Sequence, residues 1–205
     1  YISSWGKDYT SESILSISML PNDNPGTNSI GNMLSPYSYG GVVPSNDLIN
    51  LYSNNDIQYK FLEKQEEQFY IKYPTINNIL GLNSIPVIRL SEIYLILSEV
   101  YAKKGANFYS GAETNANIIA TRNNMYAPIT IEKNTDISKI YDIYRKEFAF
   151  EGKRFFQLKR TNQNITRTDC NLTQCEIKKQ SYLFTFPIPQ AELNANKNLS
   201  QNYGY

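Results

Sequence analysis

The chain has 205 residues, and its 20 basic and 19 acidic side chains leave a formal net charge of +1. This balance argues against a nucleic-acid partner, because proteins that bind nucleic acid carry a basic excess on one face. Histidine is absent, which excludes Ser-His-Asp and Cys-His catalysis and histidine-ligated zinc. The two cysteines are too few for a cysteine-only metal site. We therefore expect no metal site and no cofactor.

Residues 1–45 are rich in the turn-forming residues Ser, Asn, Gly and Pro. Within them, Ser13–Met19 alternates apolar and polar residues and predicts a strand. The Pro-, Gly- and Asn-rich stretch Pro21–Gly41 predicts a long irregular loop, and such loops are often functional in compact domains. A short helix is predicted within 44–64, with Ser45 as its N-cap. An extended segment is predicted near Gln68–Tyr73.

The strongest helix signal spans Val87–Lys104, between Pro86 and Gly105. Its apolar side chains form a wide stripe. The stripe comprises Leu90, Ile93, Tyr94, Leu97, Val100 and Tyr101. A helix this apolar is typical of the centre of a helical bundle.

Three further helices are predicted near 111–124, from Asp136 onward, and over the KRFFQLKR segment. The four helices pair into two helical hairpins that resemble tetratricopeptide hairpins. Residues Tyr182–Pro189 predict a strand, and the polar tail after them has little periodicity. The predicted fold is mainly α, with tetratricopeptide-like helical hairpins, long irregular loops and a few short strands.

Three sequence blocks carry a resemblance to a known family. They are PVIRLSEIYLILSEVYAKKG at 86–105, RKEFAFEGKRFFQLKR at 145–160 and FPIPQAELNANKNLSQNYGY at 186–205. In this order they resemble the C-terminal region of the SusD/RagB family. Thr121–Pro128 resembles the Arg-containing segment between the first two blocks in that family. Two positions depart from the family pattern: Gln58 stands at a common arginine and Gln157 at a common acidic residue.

The resemblance covers nearly the whole chain and implies its organisation. Residues 1–205 correspond to the family's C-terminal domain. A loop-rich part, 1–85, holds the candidate ligand loops, and 86–205 holds the helical hairpins and the C-terminal tail. We expect the family's N-terminal helical-repeat half to be absent from this chain. That half should cover an apolar face of the helix at 87–104, which this chain alone leaves exposed.

The SusD/RagB family comprises surface lipoproteins of Bacteroidetes that bind nutrients, mostly glycans. The resemblance implies non-catalytic capture of an oligosaccharide at the cell-surface side of the outer membrane. It also implies delivery of that ligand to a SusC-like TonB-dependent transporter. Membrane attachment is expected only through an N-terminal lipid anchor absent from this chain, since no stretch here approaches the roughly 20 apolar residues of a transmembrane helix.

Two other functions stay open at this point. A helical-repeat interaction scaffold would bind protein and no small ligand. A glycoside hydrolase would need a pair of carboxylates, and Glu147 and Glu151, four residues apart on one helix face, are the candidates. Glycan binding without turnover indicates capture, whereas release of reducing ends indicates hydrolysis. We expect no enzymatic activity.

The same two glutamates also predict a structural ion-pair cluster. Carboxylates within an apolar helical segment need cationic partners when they are buried. Arg154 follows close behind them, and Arg89 stands near the start of the first helix. We expect Arg89, Glu147, Glu151 and Arg154 to converge between the two helical hairpins.

Trp5, Tyr37 and Tyr39 are the candidate ligand-binding residues. Aromatic rings in an irregular, Asn-rich segment suit stacking on sugar rings, because each ring is apolar and Tyr and Trp also carry a polar tip. The alternative is that the three rings hold the loop against the helical core. Cys170 and Cys175 have four residues between them in a polar segment, and the oxidising compartment implied by the resemblance predicts a disulfide.

Overall fold

The computed structural model describes residues 4–5, 7, 10–35, 42–53, 56–64, 68–70, 72–74, 76–77, 79, 81–122 and 128–205. Contacts divide the chain into two compact units, Tyr1–Glu151 and Gly152–Tyr205. Among the described residues, no helix combines the length and the hydrophobicity that crossing a membrane requires.

The fold is mainly α, as the sequence predicts. The helices of the first unit are α1 (Ile30–Leu34), α2 (Asn46–Ile49), α3 (Leu90–Lys104), α4 (Tyr109–Ala120) and α5 (Ile137–Glu147), and those of the second are α6 (Arg154–Arg160) and α7 (Gln190–Ala195). The strands form three antiparallel pairs: β1 (Ser13–Ile17) with β4 (Ile85–Arg89), β2 (Leu62–Lys64) with β3 (Gln68–Tyr70), and β5 (Ile165–Thr166) with β6 (Glu176–Ile177).

Helices α3 and α4 form a tetratricopeptide-like hairpin whose facing residues are small. Ala102, Ala112 and Ala116 are almost completely buried, and short side chains allow helix axes to approach closely. Ser98 Oγ, buried on α3, donates to the Ala112 carbonyl at 2.7 Å. Helix α5 packs against this hairpin through Ile140 and other apolar residues of the same core.

Helix α3 begins three residues later than the sequence predicts. Residues Ile85–Arg89 pair with β1 as an antiparallel strand, and the Leu90 N–H donates to the Glu12 carbonyl at 2.8 Å. The segment that starts at Pro86 is therefore extended, because its backbone hydrogen-bonding groups are used by the strand pair. Helix α3 begins only where that ladder ends.

The apolar stripe of α3 faces outward over much of its length. Its exposed members are Leu90, Ile93, Leu97 and Val100, each more than a third exposed. The buried face consists of Ser91, Leu95, Ser98, Glu99 and Ala102. The small residues on that face admit α4 and α5, so the more apolar side of the helix stays uncovered in this chain.

The sequence misses two local structures in the second unit and one in the first. Tyr182–Phe184 forms a 3₁₀ turn and not a strand, since Ser181 Oγ accepts the Leu183 N–H at its start. The polar tail contains α7, directly after Pro189. Within the predicted loop Pro21–Gly41, α1 is capped by Ser29, whose Oγ accepts the Asn32 N–H at 3.2 Å; residues 36–41 lie outside the described residues.

Two leucines of α3 test this packing directly. Leu95 is 1% exposed and Leu97 is 40% exposed. Leu95→Ala should lower the free energy of unfolding by about 2–5 kcal/mol, because it leaves a cavity in the core. Leu97→Ala should change it by less than about 1 kcal/mol, because its side chain contacts water. Urea denaturation of this chain measures both, and equal losses would contradict the assigned faces.

Candidate functional site

The densest cluster of charged side chains in the first unit surrounds Arg89, the last residue of β4. Its Nη1 donates to Glu147 Oε1 at 2.6 Å, and its Nη2 and Nε donate to the two oxygens of Glu151 at 2.7 and 3.0 Å. The Arg89 side chain is only 4% exposed. The two bonds to Glu151 have the bidentate geometry in which a planar guanidinium binds a carboxylate most strongly.

Three more charged residues complete what we call the ion-pair network. Its members are Glu12, Lys72, Arg89, Arg122, Glu147 and Glu151. Arg122 bridges Glu12 Oε1 at 2.7 Å and Glu147 Oε2 at 2.6 Å. Lys72 binds the Glu151 carboxylate and donates to the Glu147 carbonyl at 2.8 Å. The network thus pairs acids and bases in equal number, so that the buried charges balance.

The charges of the network change the pKa of two of its members. Burial opposes ionisation of Glu147, but the charges of Arg89, Arg122 and Lys72 outweigh it and lower its pKa to about 2. Burial lowers the pKa of Lys72 to about 8, against the opposing charges of Glu151 and Glu147. Glu147 therefore stays ionised at neutral pH.

The network also holds the turn that follows α5. Lys72 donates to the Ala149 carbonyl at 3.2 Å, and Tyr73 OH donates to the Phe150 carbonyl at 3.2 Å. Phe150 has a φ of 61°, a left-handed conformation that is unfavourable for a residue with a side chain. The two hydrogen-bonded carbonyls help to fix this turn, which places Glu151 beside Arg89.

Trp5 lies inside the first unit and not on a ligand surface. Its ring packs edge-on against Phe61 and Tyr73, with centroids 6.2 and 5.5 Å away. Lys72 Nζ stands 4.4 Å from the ring centroid, and the residue is 7% exposed. The expectation that Trp5 offers an accessible face to a sugar is therefore wrong for this chain, because the ring instead covers the buried cations.

The other candidate site residues fall in three places. The structure brings Arg89, Glu147 and Glu151 together. Arg154 lies in the second unit, where its Nη1 donates to Gln157 Oε1 at 2.8 Å, and its place in the cluster stays a prediction. Tyr37 and Tyr39 lie outside the described residues, and their ligand role stays a prediction as well.

The sequence reading missed four residues around Glu147 and Glu151, namely Glu12, Gln58, Lys72 and Arg122. Gln58 Nε2 donates to Glu147 Oε2 at 2.9 Å, so this departure from the family pattern still supplies a hydrogen-bond donor. Arg122 belongs to the segment that the resemblance had already marked. Lys72 stands between apolar and aromatic neighbours, a context that signals burial with partners.

The paired carboxylates are unsuited to glycoside hydrolysis. One carboxyl of a hydrolase must carry a proton at the working pH. Glu147 has a pKa of about 2, and Glu151 is bound by both Arg89 and Lys72 with a side chain 1% exposed. The geometry is that of a structural ion-pair network.

In the second unit, Cys170 and Cys175 form a disulfide with 5.6 Å between their Cα atoms. It closes the loop between β5 and β6, and the Arg167 N–H donates to the Cys175 carbonyl at 2.9 Å beside it. Among the described residues, no group of carboxylates or cysteines is arranged to hold a metal ion.

The sequence and fold match one family. The sequence profile of the SusD family matches residues 72–205. A Bacteroides vulgatus ATCC 8482 protein described as a candidate sugar-binding protein is similar in structure, with a TM-score of 0.89 and 26% identity over 100% of this chain and 49% of its own. A SusD superfamily protein from the same organism has a TM-score of 0.84 and 27% identity, over 96% of this chain and 47% of its own.

A SusD superfamily protein from Bacteroides thetaiotaomicron VPI-5482 has a TM-score of 0.83 and 25% identity, over 98% of this chain and 50% of its own. The chain therefore spans about half the length of these relatives. Comparison with curated protein sequences gives no significant match.

Removing the central cation tests the ion-pair network. Arg89→Ala should lower the free energy of unfolding by about 3–5 kcal/mol, because it leaves two buried carboxylates short of a partner. The control is Arg167→Ala, whose side chain is exposed and whose loss should cost less than about 0.5 kcal/mol. Chemical denaturation reports both values. A loss below about 1 kcal/mol for Arg89→Ala would show that the network is not a unit.

The lowered pKa of Glu147 predicts acid sensitivity. A carboxylate with a pKa of about 2 in the fold, against 4.5 when unfolded, stabilises the fold fully above the unfolded value. This contribution, on the order of 3 kcal/mol, is lost as pH falls from about 5 towards 2. Carbon-13 NMR titration of the Glu147 carboxyl measures the pKa directly, and a midpoint near 4.5 would contradict the assigned pairing. Glu132→Gln, at an exposed position, should leave the acid limb of the stability curve unchanged.

Proposed function

This chain belongs to the SusD family, and from this premise we propose that it is part of a nutrient-binding protein that captures a glycan without cleaving it. In this proposal the protein is a lipoprotein on the cell-surface side of the outer membrane. It delivers its ligand to a SusC-like TonB-dependent transporter. The observation that carries the proposal is the family match over 72–205, with the whole-chain likeness to the candidate sugar-binding protein of Bacteroides vulgatus.

The state of the paired carboxylates favours binding over hydrolysis. Glu147 is bound by Arg89 and Arg122 at 2.6 Å each, and its side chain is 1% exposed. A substrate would have to displace these buried ion pairs to reach the carboxylates, at a cost of several kcal/mol.

The loop between α1 and α2 is the segment we assign to the ligand. Leu34 at the end of α1 and Leu48 in α2 are both buried in the core that contains Trp5. The two ends of the loop are therefore anchored, as is common for binding loops on a rigid scaffold. Tyr37 and Tyr39 lie between these anchors in the sequence and supply the rings that stack on sugar. Trp5 takes a supporting role in the same core.

The uncovered face of α3 fits the organisation of a longer protein. In this proposal, the half of the family's domain that lies outside this chain packs on Leu90, Ile93 and Leu97, which are exposed here. An exposed apolar stripe along one helix is typical of a contact surface. The same face is the observation that favours the second candidate, a scaffold that binds only protein.

A glycan array probed with the full-length protein separates these functions. Saturable binding to one glycan class without release of reducing ends is the expected result. Tyr37→Ala and Tyr39→Ala should each weaken that binding about five-fold or more, because a stacked ring contributes on the order of 1 kcal/mol or more. Tyr203→Ala is the matched control, since this tyrosine is 91% exposed and lies far along the sequence from the loop.

Two results would contradict the proposal. Release of reducing ends from any array glycan would make the protein a hydrolase. Failure to bind any glycan, together with a stable complex with another protein, would make it a scaffold. Co-purification with a porin-sized outer-membrane protein in mild detergent tests delivery to the transporter, and its repeated absence would remove that part of the proposal alone.

A further inference from the structure

A cavity of about 240 Å³ opens on the second unit. It lies between the C-terminal turn of α6 and the turn that precedes the 3₁₀ segment Tyr182–Phe184. Its lining consists of Leu158, Lys159, Asn162, Gln163, Lys179, Gln180, Ser181, Phe184 and Thr185. All of these residues belong to one unit, and none of them belongs to the ion-pair network or to the loop assigned above.

Most of the polar side chains that line this cavity are exposed to water. Within the part of the chain that the structure describes, six lining residues make no side-chain hydrogen bond or ion pair. They are Lys159, Asn162, Gln163, Lys179, Gln180 and Thr185. Five of the six are exposed and Gln163 is half-buried, so water hydrogen-bonds to them and an entering ligand can take the place of that water. These side chains are thus available to a molecule that enters the cavity.

The walls of the cavity are fixed by backbone bonds. The Gln163 N–H donates to the Leu158 carbonyl at 2.9 Å and caps the end of α6. The Lys179 N–H donates to Asn164 Oδ1 at 2.8 Å and joins the two turns. Because the last carbonyls of α6 are capped in this way, the negative end of the helix dipole is partly compensated at the cavity.

Two residues that line the cavity have strained backbone conformations. Asn162 and Gln180 have φ values of 53° and 66°, in the left-handed region. Asparagine tolerates this region at a helix C-terminus, but glutamine adopts it rarely. Such strain is stored preferentially at ligand sites, and both of these residues line the cavity.

The chemistry of the lining points to one ligand class. Amide and hydroxyl groups both donate and accept hydrogen bonds, as sugar hydroxyls do. Leu158 and Phe184, both 5% exposed, form the apolar floor beneath these polar groups and offer a ligand little contact area. Lys159 and Lys179 add two positive charges, and none of the described residues that line the cavity is acidic.

From this lining we infer that the cavity binds a carboxylate-bearing pyranose, that is, a uronic acid residue of a glycan. The sugar class rests on the proposed function, whereas the negative charge rests on the two lysines. The volume fits a single ring, since pockets for larger ligands span roughly 300–1,000 Å³. The cavity then acts as a subsite that favours acidic over neutral glycans.

A pair of matched sugars tests the inference. Nitrogen-15 labelled protein is titrated with sodium D-galacturonate and, separately, with D-galactose, which differs by a hydroxymethyl group in place of the carboxylate. Galacturonate should shift the backbone amides of Lys159, Gln163, Lys179 and Thr185. Its affinity should exceed that of galactose at least ten-fold. Sodium acetate at the same concentration should leave these amides in place.

Two double variants locate the charge. Lys159→Gln with Lys179→Gln should reduce the galacturonate affinity to that of galactose. Lys178→Gln with Lys197→Gln removes the same charge from exposed lysines outside the cavity and should leave the affinity unchanged. Equal losses in both double variants, equal binding of the two sugars, shifts elsewhere in the chain, or no shift with galacturonate would each overturn the inference.

The outcomes also separate this inference from the proposed function. Neutral glycans that bind the full-length protein, with no galacturonate shift at the cavity, would overturn the subsite and leave glycan capture intact. A specific galacturonate shift in a protein that binds no glycan on the array would keep the subsite and remove the capture function.

Discussion

The burial of Glu147 is the constraint on which the first unit depends. An ionised carboxylate with almost no contact with water is tolerated only when cations and hydrogen-bond donors surround it. Arg89, Arg122 and Gln58 all reach its oxygens within 2.9 Å. Each donor comes from a different part of the chain. The requirement to satisfy one side chain therefore brings distant segments to one point.

This constraint explains why the strand pair β1–β4 and the helical core form one unit. Glu12 immediately precedes β1 and binds both Arg89 and Arg122. Arg89 ends β4 directly before α3, Arg122 follows α4, and Glu147 ends α5. Apolar packing alone favours many similar arrangements of helices, whereas a buried charge network is satisfied in few of them. We infer that the network contributes to the uniqueness of the fold more than to its net stability, because well-packed apolar residues would stabilise a core as well.

The sequence predicts α2 to α6, because their signals are local, but it misses the short helices α1 and α7. Gly105 ends α3 as expected from its position, and α5 follows Asp136. Local signals do not predict which face of α3 is buried. The buried face depends on the small residues of α4 that pack against Ser98 and Ala102. The sequence also predicts too early a start for α3. The pairing of 85–89 with β1, which delays the helix, is a non-local contact.

The residues of the candidate site likewise differ in whether local sequence signals predict their positions. Because Glu147 and Glu151 stand within an apolar helical segment, the sequence predicts that both need cationic partners. Arg89 is one of the partners that it predicts. Lys72 was missed because its partners lie more than seventy residues further along the chain. The sequence predicts a ligand role for Trp5 because the residue stands in an irregular segment. Its real neighbours, Lys72 and Arg89, come from elsewhere and hold the ring inside the unit.

The blocks that reveal the family are largely the residues that build this scaffold. The block at 86–105 supplies Arg89 and the buried face of α3, and the block at 145–160 supplies Glu147 and Glu151. Residues that satisfy a buried network tolerate few substitutions, because loss of one partner leaves a charge unpaired. Loops and surface cavities change freely, since their side chains contact water or ligand. Family membership therefore predicts the scaffold of the chain better than it predicts the ligand. Under the proposed function, the choice of glycan depends on segments outside the ion-pair network, such as the α1–α2 loop and the cavity beside α6.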